Sequence, residues 1–283
     1  MHPFPLESLS SRVRLNQGPE MPVLGLGTFQ SPPGSDTRRA VVGALKAGYR
    51  SIDTAAMYGN EADVGEAIRA SGVPRSEVFV TTKLWHTDQG YESAKRACHR
   101  SLELLGFDYL DLYLIHWPRA NSPSERIDSW RALEELKAEG VCRAVGVSNY
   151  APRHLEELAA HSRLAPAVNQ VELHPFVFDP DLLAACARWE IQVEAYSPLT
   201  RNRRLDDATV GDIARAHART PAQVLIRWGL QHGVVEIPKS LRVERIRENA
   251  QVFDFQLTSD EMTRLDGLRD RKRVTQWDPA EIP

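Results

Sequence analysis

Cysteine is scarce in this chain, and long hydrophobic runs are absent from it. The cysteines, Cys98, Cys142 and Cys186, form neither a Cys-x-x-Cys pair nor a metal-ligand pattern, which indicates reduced, buried thiols and no metal site. No apolar stretch approaches the ~18 residues that a membrane-spanning helix needs, and residues 1–7 lack the apolar segment of a signal peptide. These absences exclude a disulfide scaffold and predict a cytoplasmic protein without a membrane partner.

An excess of charge of one sign is lacking as well. The net charge is -3 and charged residues make up 26% of the chain, so the charge balance gives no support for nucleic acid as a partner. Hydrophobic residues make up 42%, which is ordinary for a globular protein and excludes wholesale disorder. The chain has 283 residues, enough for one large α/β domain, and we predict a single domain over residues 1–283 and a monomer.

Strand-like and helix-like segments alternate for most of the length. A small hairpin is predicted over residues 12–23, and eight strand-then-helix units follow it. The strands are short and rich in valine, isoleucine and leucine, as expected for strands that are buried on both faces. The predicted strands are 24–27, 51–53, 78–83, 108–116, 144–148, 168–172, 192–196 and 234–238, and the predicted helices are 36–47, 61–71, 91–105, 127–139, 152–160, 180–189, 208–217, 221–230 and 243–249.

This alternation predicts the fold class. Eight such units favour a closed parallel barrel over a doubly wound sheet. The expected architecture is therefore an α/β fold, a (β/α)8 TIM barrel with an N-terminal β-hairpin and extra helices. One extra helix is predicted to start at Pro221, with Thr220 as its N-cap. The polar tail over residues 269–283 is expected to lie over the mouth of the site.

Two charged residues of opposite sign end neighbouring predicted strands. Asp53 ends one and Lys83 ends the next, and burying either charge alone would cost roughly several kcal/mol. We therefore expect the two to pair. If Tyr58 lies against the pair, the ammonium is expected to lower a phenol pKa that begins at about 10, which would make Tyr58 a proton donor near neutral pH. Asn60 resembles an N-cap for the helix that follows.

Polar residues also stand at the carboxyl ends of other predicted strands, where chemistry collects in such barrels. These residues are His116, Ser148, Asn149, Gln170, Glu172, Tyr196, Ser197, Lys239 and Ser240. Trp85 and Trp117 closely follow two of the strand ends and are expected to wall a pocket. The Gly-x-Gly-x-x-Gly fingerprint of a Rossmann-type site is missing after any strand, so a nucleotide would have to be bound in another way.

Two groups of residues resemble signatures of the aldo-keto reductase family, and the resemblance covers nearly the whole chain. The first group is Gly48-Tyr49-Arg50-Ser51-Ile52-Asp53-Thr54-Ala55, continued by Tyr58, Glu61 and Gly65, and the second is Ile237-Pro238-Lys239-Ser240, continued by Arg245, Glu248 and Asn249. The pattern looks most like the bacterial diketo-gluconate reductase-type members. The resemblance implies reduction of aldehydes or ketones to alcohols by hydride transfer.

The resemblance implies a catalytic tetrad of Asp53, Tyr58, Lys83 and His116. Hydride addition to a carbonyl carbon creates an alkoxide, so the site needs a proton donor about 3 Å from that oxygen and a polarising partner beside it. Tyr58 would donate the proton, and Lys83, held by Asp53, would lower its pKa. His116 would orient the carbonyl, a role for which a neutral imidazole suffices.

The resemblance also implies a nicotinamide cofactor, with the carboxamide on three polar residues and the ring stacked on an aromatic one. The residues so assigned are Gly27, Thr28, Asp53, Ser148, Asn149, Gln170, Tyr196, Ser197, Leu199, Lys239, Ser240, Arg242, Arg245, Glu248 and Asn249. Lys239, Arg242 and Arg245 bring positive charge to the start of one helix, which suits a 2′-phosphate. We therefore expect NADPH as the cofactor, with NADH bound more weakly.

The expected substrate is a small carbonyl compound in a pocket lined by Phe29, Trp85, His86, Trp117 and Trp277. Trp130, Trp189 and Trp228 lie within helical patterns and are assigned to the core. The loop from Arg201 to Arg204 either folds over the cofactor or is a solvated loop, and the sequence leaves both possibilities open.

Two other functions remain compatible with the sequence. A Schiff-base barrel aldolase could use Lys83, but it needs a lysine without a tight carboxylate partner, and Asp53 argues against this. A nicotinamide-nucleotide-binding regulatory subunit with little turnover would keep the fold, because fold alone does not guarantee activity.

Overall fold

The computed structural model describes residues 6–275 and 277–282, and a barrel of parallel strands is its centre. The strands are β1 (Arg12–Arg14), β2 (Glu20–Pro22), β3 (Leu26–Gly27), β4 (Ser51–Asp53), β5 (Phe79–Leu84), β6 (Leu110–Ile115), β7 (Cys142–Ser148), β8 (Val168–Glu172), β9 (Gln192–Tyr196) and β10 (Val235–Glu236). From β3 to β10 each strand pairs in parallel with the next one along the chain.

Backbone hydrogen bonds between the first and last parallel strands close this sheet into a barrel. The amide of Glu236 donates to the carbonyl of Val23 at 3.0 Å, and the amide of Gly25 donates to the carbonyl of Glu236 at 2.8 Å. Two residues further along, the amide of Gly27 donates to the carbonyl of Pro238 at 3.2 Å. Closure removes the free sheet edges and brings the carboxyl ends of the parallel strands around one mouth.

Helices alternate with these strands. They are α1 (Ser35–Lys46), α2 (Glu61–Ala70), α3 (Tyr91–Leu105), α4 (Pro123–Ala138), α5 (Pro152–His161), α6 (Pro180–Arg188), α7 (Ala208–Ala216), α8 (Pro221–Gln231), α9 (Val243–Asn249) and α10 (Ser259–Asp266). The predicted (β/α)8 barrel with extra helices is confirmed. Within residues 6–275 and 277–282, every helix falls short of the length and hydropathy that crossing a bilayer requires.

The predicted hairpin is confirmed and covers the amino-terminal end of the barrel. β1 and β2 pair antiparallel, with Val13 opposite Met21. Leu15 and Met21 are buried in one cluster with residues from the barrel interior, among them Leu112. The turn is fixed by Gln17, whose Nε2 donates to the carbonyl of Val145 at 3.0 Å. The mouth that remains open is therefore the one at the carboxyl ends of the strands.

Three local features differ from the sequence predictions. α4 begins at Pro123, earlier than predicted, because Ser122 caps it by accepting from the amide of Glu125. α10 was not predicted, although Thr258 and Glu261 form a capping box at its start. Asn60 stands at the N-cap position of α2 without a side-chain capping bond. Its Nδ2 donates to the carbonyl of Thr28 at 3.1 Å and its Oδ1 accepts from Thr54 at 2.7 Å, so the side chain ties two loops together instead.

The predicted burial of the cysteines and of two tryptophans is confirmed. Cys98, Cys142 and Cys186 are free, buried thiols. Trp130 and Trp228 are fully buried, whereas Trp189 is only partly buried against the core.

Gly65 of α2 lies directly against the backbone at the end of α3. A Cβ at Gly65 would lie 1.9 Å from the carbonyl oxygen of Leu105, a backbone atom that cannot move aside on its own. We expect Gly65→Ala to destabilise the fold by about 3 kcal/mol, the upper end for overpacking, as measured by urea denaturation. Gly211→Ala in α7 is the control, since its Cβ would meet only the Nη1 of Arg215 at 3.5 Å. That control should be neutral or stabilising by roughly 0.5–1 kcal/mol, because alanine favours helix; equal effects of the two substitutions would contradict the prediction.

Candidate active site

A cavity of about 460 Å³ opens at the carboxyl ends of the strands. Asp53 at the end of β4, His116 after β6 and Tyr196 at the end of β9 all line it, as the strand-end pattern predicts. Tyr58 also lines it, from a short turn between β4 and α2. Lys83 lies near the end of β5 and is fully buried beneath these residues.

A hydrogen-bonded chain joins the aspartate, the lysine and the tyrosine. The Nζ of Lys83 donates to Oδ1 of Asp53 at 2.7 Å, to the carbonyl of Thr54 at 2.8 Å and to the hydroxyl of Tyr58 at 3.2 Å. The three donors of the ammonium therefore each have an acceptor. The structure thus brings together the ion pair and the phenol that the sequence predicts to meet.

The charge of Lys83 follows from these contacts. Burial disfavours the ammonium, but the Asp53 carboxylate and the Tyr58 hydroxyl favour it, and the pKa of Lys83 lies above its ordinary value. Burial raises the pKa of Asp53, and the nearby ammonium opposes that shift. Lys83 is consequently a cation at neutral pH. A Schiff base needs an uncharged amine, so this geometry argues against the aldolase alternative.

The predicted lowering of the Tyr58 pKa is wrong as a net effect. Burial raises this pKa most, the Lys83 ammonium lowers it and the Asp53 carboxylate raises it, which together bring the pKa to about 12. The sequence showed the attractive cation but not the depth of burial, and desolvation of a phenolate is the larger effect here. At neutral pH Tyr58 therefore carries its proton.

His116 borders the cavity as a neutral imidazole. Burial, the Lys83 ammonium and His86 all lower its pKa well below the ordinary value. Its ring centroid lies 5.7 Å from that of Tyr58 in an edge contact and 5.1 Å from that of Trp85. The side chain is therefore held between two aromatic residues, with its backbone carbonyl accepting from Nδ2 of Asn149 at 2.9 Å.

The residues predicted to hold the nicotinamide are linked to one another. The hydroxyl of Tyr196 donates to Oδ1 of Asn149 at 2.7 Å, and Nδ2 of Asn149 donates to Oγ of Ser148 at 3.0 Å. Ser148 in turn donates to the backbone carbonyl of Gln170 at 2.8 Å. Asn149, Gln170 and Tyr196 line the cavity, whereas Ser148 is buried behind them. This wall offers an aromatic face beside amide groups and so fits a planar, polar ring.

The other predicted cofactor residues divide into two groups. Those that line the cavity are Gly27, Asp53, Ser197, Leu199 and Lys239, and those that do not are Thr28, Ser240, Arg242, Arg245, Glu248 and Asn249. Lys239 is the last residue along the chain in the cavity-lining group, and its Nζ donates to the carbonyl of Gln30 at 3.0 Å. Arg242 and Arg245 are exposed near the start of α9, and Glu248 accepts from the hydroxyl of Thr220 at 2.8 Å.

Aromatic side chains form the predicted substrate pocket. Phe29, Trp85, Trp117 and Trp277 line the cavity. The ring of Trp277 stacks on that of Trp85 at 6.2 Å and meets that of Trp117 edge-on at 5.1 Å, so the tail lies against the mouth. His86 was predicted to line the pocket, but it does not. Its ring packs against that of Trp85 instead, with 4.5 Å between the ring centroids.

Several cavity residues were not assigned from the sequence. They are Gln30, Met57, Pro198, Arg201, Asn202, Ile237 and Thr275. Arg201 lies with its guanidinium carbon 5.2 Å from the ring centroid of Phe29, so the loop left open in the sequence analysis borders the cavity. Glu194, which is buried behind the cavity wall, was not assigned to the site from the sequence either, although it stands two residues before Tyr196 on β9. The period of two in a strand puts both residues on one face and would have found it.

A parallel barrel with a buried aspartate–lysine pair, a phenol and a neutral imidazole around one cavity fits an oxidoreductase that acts on carbonyl groups. Comparison with known proteins gives the same class. A family model described as the aldo/keto reductase family matches residues 23–270. The chain belongs to the aldo/keto reductase family, whose members use nicotinamide cofactors on small-molecule substrates.

Similar proteins cover nearly the full length. Glyoxal reductase of Bacillus subtilis (strain 168) is 49% identical over 267 residues, which is 94% of this chain and 96% of that protein. The 9,11-endoperoxide prostaglandin H2 reductase of Trypanosoma cruzi (strain CL Brener) is 49% identical and covers 93% of each chain. The crystal structure of an aldo-keto reductase enzyme from a Medee basin deep-sea metagenome library has a TM-score of 0.90 and 44% identity, and covers 94% of this chain and 98% of that one.

Proposed function

We propose that this protein reduces aldehydes or ketones to alcohols with NADPH, and that Tyr58 is the general acid. The observation that supports the role of Tyr58 is the 3.2 Å contact between its hydroxyl and the Nζ of Lys83. This contact joins a buried cation to a phenol that borders the cavity. A proton donor backed by a cation is what a carbonyl reduction needs at the oxygen.

The proposed roles follow from the charges. The cofactor would supply a hydride to the carbonyl carbon, which leaves negative charge on the oxygen. Tyr58 gives that oxygen its proton, because an alkoxide is more basic than a phenolate whose acid has a pKa of about 12. Lys83 stabilises the phenolate that remains, and Asp53 holds Lys83 in place. Neutral His116 orients the carbonyl beside Tyr58 without bringing a competing charge.

Incubation of the protein with NADPH and a panel of aldehydes, followed by the loss of reduced-nicotinamide absorbance, tests this function. Glyoxal belongs in the panel because a relative with 49% identity is named a glyoxal reductase. Turnover of any aldehyde supports the proposal. Tight NADPH binding without turnover across the panel would instead favour a regulatory nucleotide-binding subunit.

We also propose that the protein is a monomer, since one chain supplies all the tetrad residues. Size-exclusion chromatography of the purified protein checks this.

The choice between NADPH and NADH is expected to depend on the cations near the start of α9. Arg242 and Arg245 are exposed there, close in sequence to Lys239 at the cavity. NADPH carries a 2′-phosphate that NADH lacks, and one charge-assisted hydrogen bond contributes roughly 1.5–3 kcal/mol. We therefore expect NADPH to bind about ten- to a hundredfold more tightly, as measured by quenching of tryptophan fluorescence.

Alanine variants locate the source of that preference. Arg242→Ala and Arg245→Ala should weaken NADPH binding and leave NADH binding nearly unchanged. Arg247→Ala is the matched control, since Arg247 is an exposed arginine in the same helix outside the predicted set. Equal affinities of the wild type for the two cofactors, or variants that weaken both alike, would count against a phosphate-reading role.

A further inference from the structure

A carboxyl group that belongs to no predicted role lies behind the cavity wall. Glu194 on β9 is fully buried, and its Oε2 accepts from Nε2 of Gln170 at 2.7 Å. The same Nε2 donates to Oδ2 of Asp53 at 2.8 Å. Glu194 and Gln170 are register partners on adjacent parallel strands, so their side chains point to the same side of the sheet, into the barrel. One amide therefore bridges two carboxyl groups.

This arrangement fixes which way the Gln170 amide faces. A side-chain amide nitrogen has two hydrogens, and both are directed at carboxyl oxygens, of Asp53 and of Glu194. The carbonyl Oε1 of Gln170 is then the polar atom left for the cavity that Gln170 lines. If the amide flipped, its oxygen would face the Asp53 carboxylate, which has no proton to donate, and that hydrogen bond would be lost. The cavity thus receives an acceptor at this position.

We propose that Glu194 is a positioning residue that orients the Gln170 amide so that its carbonyl accepts from the NH₂ of the nicotinamide carboxamide. This inference rests on the proposed use of a nicotinamide cofactor. Asp53 alone would hold the Gln170 amide less firmly than Asp53 and Glu194 together. One Asp53 oxygen accepts from one of the two amide hydrogens, and its other oxygen accepts from Lys83. Glu194 has no exposed surface and does not line the cavity, so it would act on the carboxamide through Gln170, which donates to it.

The charges around Glu194 favour its neutral form. Burial and the Asp53 carboxylate raise the pKa of Glu194, Gln170 and Lys83 lower it, and the pKa lies at about 8. Below that pH Glu194 is protonated, and of the two carboxyl groups that the Gln170 amide joins, only Asp53 then carries a charge, beside the Lys83 ammonium. Oε1 of Glu194 has no hydrogen-bond partner within the described residues, which leaves room for the proton there. A glutamine at this position has the same shape and charge as the protonated glutamate.

That equivalence supplies a matched pair of variants. Glu194→Gln keeps an acceptor toward Gln170, whereas Glu194→Met has nearly the same volume and lacks the acceptor. Should Glu194→Met not fold, Glu194→Val, a smaller β-branched residue that suits a strand, makes the same comparison. Thermal melting of each variant first establishes that it is folded.

The binding of two reduced cofactors at pH 6.5, measured by fluorescence quenching, tests the proposal. One is NADPH, and the other is its 3-acetylpyridine analogue, in which a methyl ketone replaces the carboxamide and no NH₂ is present. We expect Glu194→Met to weaken NADPH binding by roughly tenfold, the effect of about one hydrogen bond. The affinity for the analogue should change less than twofold, and Glu194→Gln should keep both affinities within twofold of the wild type.

Other outcomes overturn the proposal in distinguishable ways. Equal weakening of both cofactors by Glu194→Met would indicate a general disturbance of the barrel rather than positioning of Gln170. Unchanged NADPH binding in that variant, or a Glu194→Gln variant as weak as Glu194→Met, would exclude the positioning role while leaving the proposed reductase function intact. A wild-type protein that bound neither cofactor would overturn the proposed function itself and the inference with it.

Discussion

Tyr58→Phe is expected to lower kcat for aldehyde reduction by about 10²- to 10⁴-fold, the usual contribution of a positioned general acid. The ring borders the cavity between Phe29, at 5.0 Å between centroids, and His116, at 5.7 Å. Phenylalanine can keep those contacts, so the fold and NADPH affinity should change little. What is lost is the hydroxyl that lies 3.2 Å from the Nζ of Lys83, and with it the proton for the alkoxide.

A second tyrosine provides the control for this substitution. Tyr113 is fully buried, and its hydroxyl has no hydrogen-bond partner in the described part of the chain. Tyr113→Phe therefore removes a hydroxyl from the barrel without touching the cavity and should leave kcat at the wild-type value. Steady-state kinetics with one reactive aldehyde and saturating NADPH compare the two variants. A folded, NADPH-binding Tyr58→Phe enzyme with near wild-type kcat would refute the assignment.

Lys83→Met is expected to abolish reduction and also to destabilise the fold by roughly 3–5 kcal/mol, the usual cost of breaking a buried ion pair from one side. Lys83 has no exposed surface, and its Nζ lies 2.7 Å from Oδ1 of Asp53. Removal of the ammonium leaves a buried carboxylate whose negative charge Gln170 alone cannot balance. The destabilisation should therefore depend on the charge of Asp53 rather than on lost packing.

A double substitution and a change of pH both test that dependence. Lys83→Met with Asp53→Asn should recover much of the lost stability, because neither member of the pair then leaves an unpaired charge behind. In the wild type, burial raises the pKa of Asp53, and the charge of the Lys83 ammonium is the largest effect that lowers it. In Lys83→Met the folded-state pKa of Asp53 is thus raised further above its unfolded value of about 3.9. Stability is then lost as pH rises from that value through the folded pKa, so the variant should be less destabilised at pH 5 than at pH 7.

Urea denaturation of the wild type, the single variants and the double variant at both pH values gives these free energies. If the double variant proves as unstable as Lys83→Met alone, or if the destabilisation is the same at pH 5 and pH 7, the buried charge is not the cause. The packing of the lysine stem would then account for the loss.

The sequence by itself determined the order of elements and the residues that meet at the mouth. Short strands rich in branched residues and amphipathic helices alternate in a way that only a few architectures can bury. Asp53, Lys83 and His116 stand at strand ends, and parallel strands bring their carboxyl ends to one side of the barrel. These conclusions need only local periodicity and general topology, which is why they are confirmed by the structure.

Only the tertiary structure decided how the site is charged and supported. The pKa of Tyr58 is raised, not lowered, because burial outweighs the single cation that the sequence revealed. Asn60 ties two loops instead of capping α2, since acceptors and donors from distant segments lie within reach of its amide. Glu194 is brought to Asp53 only through Gln170, because the Gln170 amide on β8 donates both to Glu194 on β9 and to Asp53 on β4. Desolvation and hydrogen-bond partners are sums over residues far apart in the chain, and a pattern of near neighbours does not contain them.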